Sequence, residues 1–70
     1  MEKVLAISNE SYELYVYVLL LGTHTQRNVE KNVQKVILCD NVIVLEREFS
    51  VDVIPIAQIR DFSISRIKVA

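Results

Sequence analysis

Cys39 and His24 are the one thiol and the one imidazole in the chain. A cysteine nucleophile needs a base within hydrogen-bonding reach and a third group to orient that base. His24 lies in the polar stretch Gly22 to Asn32, and Cys39 sits beside Asp40-Asn41 with apolar neighbours. No motif surrounds either residue. The sequence therefore predicts a small buried cysteine and a solvated loop histidine rather than a catalytic pair. One cysteine allows no intrachain disulfide, and one Cys with one His cannot build a tetrahedral zinc site within a single chain. Gly22 is the only glycine. Phosphate cradles need glycines for close backbone approach, so P-loop and dinucleotide fingerprints are excluded. Glu46 and Glu48 stand at i, i+2, on one face of a strand by alternation. Such a pair can hold a divalent cation, but it serves equally as a solvated face that keeps a sheet edge from pairing with other chains. These residues predict no catalytic group, no metal and no cofactor, and hence a protein that is not an enzyme.

Two other groups carry binding chemistry. Tyr15 and Tyr17 alternate with core-type residues and share a face with Glu13, Leu19 and Leu21. Tyrosines on a sheet stack single-stranded bases, and they also supply area and a hydroxyl handle in protein interfaces. Packing under a loop is the plainer alternative. His24, Arg27 and Lys31 form the local basic patch, which Arg60 and Arg66 extend if the last strand runs nearby. A basic loop beside exposed tyrosines suits a single-stranded nucleic acid or a nucleotide, whereas the plain reading is a solvated hairpin tip. Overall charge gives little support to duplex binding, because eight Lys and Arg stand against nine Asp and Glu. Duplex binders are markedly basic, since phosphate neutralisation dominates their affinity.

The elements that must position these groups read as strands. Val, Ile and Thr make 21 of the 70 residues against three Ala, and branching at Cβ favours the pleated sheet. With one Gly and one Pro, turns must come mostly from Asn, Asp and Ser. Strands are predicted over Lys3 to Ile7, Tyr12 to Leu21, Gln34 to Cys39, Val42 to Phe49, Val51 to Ile56 and Asp61 to Val69. Ser8-Asn9-Glu10-Ser11 is a turn by composition. Asp40-Asn41 between two apolar runs is a hairpin signature. Pro55 cannot donate to a ladder, so its strand lies at an edge or ends there. Apolar residues shift from Phe62 and Ile64 to Ile67 and Val69, which predicts a bulge or bend near Arg66. Over 25–36 two readings stand. Val29, Val33, Val36 and Ile37 fall on one face of a helix, with Thr25 as its cap. Equally, the segment is a long loop that enters a strand near Val33.

The fold class that follows is mostly β: one small domain over 1–70, a barrel or sandwich of five to six short strands, of SH3-like, Sm-like or OB-like size. A helix near 25–36 would make it α+β. The longest apolar run, Leu14 to Gly22, is far short of the ~20 residues of a membrane helix. An acid in Met1-Glu2-Lys3 argues against a signal peptide, and a lone cysteine fits a cytoplasmic protein.

The Tyr12–Leu21 strand is apolar on both faces in a chain too short to cover everything, since a domain of about this length buries only ~60% of its unfolded surface. The leading expectation is thus a non-enzymatic interaction module. It would self-associate through Tyr15, Tyr17, Leu19 and Leu21 and bind a protein partner. The alternative is a small single-stranded nucleic acid or nucleotide binder using Tyr15 and Tyr17 with His24, Arg27, Lys31, Arg60 and Arg66. A weaker alternative is a small mobile-element regulator of a host protein.

Overall fold

The computed structural model describes residues 2–22 and 28–69. Seven strands follow one another: β1 (Glu2–Ile7), β2 (Tyr12–Leu20), β3 (Asn28–Val33), β4 (Lys35–Cys39), β5 (Val42–Glu46), β6 (Val51–Pro55) and β7 (Ile59–Lys68). A single 3₁₀ turn, Ile56–Gln58, joins the last two. The strands make two antiparallel sheets, a four-stranded one in the order β1-β4-β5-β6 and a three-stranded one in the order β3-β2-β7. The architecture is the small mostly-β domain that the composition implies.

The sheets close on a core built from alternate residues of each. Leu14, Val16, Val18 and Val33 come from the three-stranded sheet, and Ala6, Val36, Ile43 and Leu45 from the four-stranded one. Leu38, Ile54, Phe62 and Ile64 pack around them, half-buried. A strand's side chains alternate between faces, so placing Val16 inside obliges Tyr15 and Tyr17 to point outward.

Three devices carry the chain from one sheet to the other. Asn9 Oδ1 accepts hydrogen bonds from the backbone N–H groups of Ser11 (2.8 Å) and Tyr12 (3.0 Å), which folds the β1–β2 turn. Asn and Asp favour turns because their side chains can replace a backbone partner in this way. At the β3–β4 corner Asn32 takes φ 59°, a conformation that Asn tolerates better than most residues. Two residues later Gln34 is already in register with the other sheet. Its N–H donates to the Glu46 carbonyl and its carbonyl accepts from Ser8 N–H, both at 2.8 Å. The 3₁₀ turn is pinned on both sides, by Ile56 N–H to the Asn41 carbonyl and by Leu21 N–H to the Gln58 carbonyl, each at 2.8 Å.

Several expectations hold in detail. Asp40, at φ 51°, turns the β4–β5 hairpin between Cys39 and Val42. Pro55 is the last residue of β6, an edge strand, where no ladder partner is lost. Others are corrected. The helix reading of 25–36 fails over the described part: residues 28–33 are strand, paired to β2 from Val18↔Asn28 to Leu14↔Val33. That pairing satisfies backbone groups on the open edge of β2, a demand that outweighs the helical spacing of four β-branched residues. β5 stops at Glu46 rather than running to Phe49, because Arg47 N–H bonds back to the Ser50 carbonyl (2.8 Å) and closes a tight turn. No bulge lies near Arg66. Register is unbroken from Tyr12↔Lys68 to Leu19↔Asp61 and shifts only between Leu19 and Leu20, beside Arg60. Ile67 therefore stays on the outer side with Ser63 and Ser65 instead of swapping inward.

Candidate interaction surfaces

The outer face of the three-stranded sheet carries the residues picked out by the sequence. β2 runs down its middle and presents Tyr15, Tyr17 and Leu19, all half-buried. Their partners on β7 are Ser65, Ser63 and Asp61, and Val29 of β3 lies opposite Tyr17. The structure thus brings Tyr15, Tyr17 and Leu19 together on one open face. Leu21 is exposed but lies past the end of β2, in the turn that follows.

The basic residues do not gather. Arg60 and Arg66 lie at opposite ends of β7, roughly 20 Å apart at ~3.3 Å per residue. Arg66 stands opposite Leu14, on the core side of the sheet at its open end, whereas Arg60 falls at the irregularity beside Leu20. His24 and Arg27 lie outside the described residues, and Lys31 is placed only by its position on β3.

Opposite them, the outer face of the four-stranded sheet is the surface that the sequence reading missed. Register places Val4, Ile37, Val44 and Val53 in one row across the four strands. A second row holds Ile7, Lys35, Glu46 and Val51, and a third holds Glu2, Cys39, Val42 and Pro55. Ile7 is 57% exposed, Val51 58%, Val53 57% and Val4 46%. Ile37, at the centre, is only 7% exposed although it lies outside the core cluster. A sequence signal for this face exists, since β4, β5 and β6 are each apolar at both odd and even positions. That pattern means burial on two sides, but it does not by itself align the strands.

Two of the groups singled out for catalytic or metal chemistry can be placed. Cys39 is half-buried on the outer face of the four-stranded sheet beside Val42. Glu46 and Glu48 do not share a strand face, because β5 ends between them. Among the described residues no three His, Cys, Asp or Glu come together in a group able to hold a metal. A concavity of about 470 Å³ opens at one end of the sandwich between the β1–β2 turn, the β3–β4 corner and the β5–β6 turn. Two of its polar side chains hold those turns. Asn9 caps the first, and Arg47 pairs with Asp52 across the third. Phe49, on the rim, is 92% exposed.

Comparison with protein families, characterised proteins and solved structures finds no match to this chain. No helix among the described residues is long and apolar enough to cross a membrane.

Proposed function

We propose that this chain is a non-enzymatic interaction module that self-associates by covering an apolar outer sheet face. The observation that carries the reading is the set of exposed branched side chains Val4, Ile7, Val51 and Val53 around Ile37, on a face that nothing else in the described chain overlies. Contiguous apolar surface of this kind marks interaction sites, and a core this small gains from further burial. The tyrosine face supports the same reading at a second place and suits a protein partner, because tyrosines beside Ser63 and Ser65 mix area with hydrogen-bonding groups.

Gel filtration with light scattering, run from low to several hundred micromolar protein, tests it. A defined oligomer is expected, and a monomer throughout that range overturns the reading. Tyr17→Glu and Val53→Glu, compared in the same experiment, report which face is used by which of them lowers the mass.

A second reading, a single-stranded nucleic acid binder, draws support from Tyr15 and Tyr17 lying two residues apart on one open face, the spacing of a stacking platform. It predicts salt-dependent binding that weakens in Arg27→Ala. Failure to bind mixed oligonucleotides at low salt removes it.

A further inference from the structure

We infer that a second copy of this chain docks face to face on the four-stranded sheet, about a two-fold axis that runs along the gap between β4 and β5. The inference rests on the proposed self-association and specifies its face, its partner and its geometry.

Charge placement selects the axis. Lys35 on β4 and Glu46 on β5 face each other across the midline of the sheet, with Ile37 and Val44 next to them in the same arrangement. Outward from these lie Ile7 and Val4 on β1, and Val51 and Val53 on β6. Rotation by 180° about the midline exchanges β4 with β5 and β1 with β6 but keeps each row in place. Lys35 of one copy then lies over Glu46 of the other, and this happens twice. Ile37 lies over Val44, Val4 over Val53 and Ile7 over Val51. Glu2 meets only Pro55 at a corner, so no like charges approach. Face-to-face sheets stack about 10 Å apart, a gap that a Lys and a Glu side chain reaching from opposite sides can bridge. The alternative two-fold axis, lying in the face but across the strands, sets Lys35 over Cys39 and Glu46 over Val42. There each charge keeps only its cross-strand partner in its own copy, so the charges are covered by apolar groups without gaining a second opposite charge. An isologous contact needs a self-complementary surface, and of the two arrangements only the first pairs the charges.

The face is small. Four strands span roughly 19 Å and five residues about 17 Å, on the order of 300 Å² in plan, beside the ~800 Å² per partner of a standard interface. The dimer is accordingly weak and forms only at high protein concentration.

The test is a charge exchange in trans, read by sedimentation equilibrium on the full chain. Lys35→Glu sets two acids against each other at the interface, and Glu46→Lys sets two bases. Each single variant alone is expected to dissociate about tenfold more readily than wild type. An equimolar mixture of the two is expected to recover heterodimer, because position 35 of one chain then meets position 46 of the other with opposite signs. Strain within either single variant cannot produce that recovery. Circular dichroism melts identify any variant that fails to fold. Wild-type Cys39 gives a second readout that needs no substitution. It lies under Val42 of the second copy, so its alkylation by a maleimide must slow as protein concentration rises. Dimeric wild type with single variants that stay dimeric, or with a mixture that does not recover, overturns this geometry and leaves self-association through another face. Concentration-independent alkylation of Cys39 in a dimeric sample does the same. A wild type that stays monomeric overturns both the geometry and the self-association it rests on.

Discussion

Leu14, Leu45, Val16, Val33 and Val36 are the largest side chains wholly shut from water, and they lie on the inner faces of both sheets. Each fills space that no other group can take over, because a domain of this size has one thin core. Leu45→Ala is expected to cost about 2–5 kcal/mol. A single core of this length supplies only ~3–5 kcal/mol of stability, so that loss leaves the variant largely unfolded at room temperature, as urea titration followed by far-ultraviolet circular dichroism will show. Phe49→Ser, at a rim residue almost fully in water, is the matched control. Its unfolding free energy should change by less than about 0.5 kcal/mol. Hydrophobicity alone does not separate these two positions. Leu45 could be read from its place in a run that alternates into a hairpin, whereas Phe49 reads equally well as the end of that strand. What excludes it is the hydrogen bond from Arg47 N–H to the Ser50 carbonyl, which turns the chain before residue 49.

Strands and their connections follow the local chemistry of Asn, Asp and Pro. Asn9, Asp40 and Pro55 each stand where a turn or an edge was expected, because each acts on its own backbone or on the next few residues. Asn32 is different. It holds φ 59° at the corner where the chain leaves one sheet for the other, and nothing in its neighbourhood announces a corner. A β-branched residue there must adopt a left-handed conformation that costs about 1–2 kcal/mol. Asn32→Val should therefore lower the thermal midpoint by several degrees, while Asn32→Gly, free of that cost, leaves it near wild type. Equal melting of the two variants would show that the corner does not depend on residue 32. The segment that follows β2 also shows how a local signal is overridden. Val29, Val33, Val36 and Ile37 have helical spacing, yet the open edge of β2 offers hydrogen-bond partners over Leu14 to Val18, and strand pairing uses them.

Taken as a whole, the molecule is a two-layer sandwich, 36 × 30 × 19 Å, with apolar side chains on the outside of both layers. Association through either face couples folding to protein concentration. The apparent melting temperature should rise measurably between about 5 and 500 μM protein, and a constant value would separate folding from assembly. Residue types and their order determined that this chain is β-rich, that it has no intrachain disulfide or phosphate loop, and that the strand beginning at Tyr12 is apolar on both sides. Those properties depend on residue type and on alternation at a spacing of two, which are written along the chain. Tertiary structure decided which strands lie side by side. Val4, Ile37, Val44 and Val53 are far apart in sequence and become one row only through the register of three strand pairs. The same register parts Arg60 from Arg66 and sets Lys35 opposite Glu46. A one-residue slip in any of these pairs would send the row to the opposite face. Such a surface is a property of the paired sheet, fixed by long-range hydrogen bonding and by core packing on the other side.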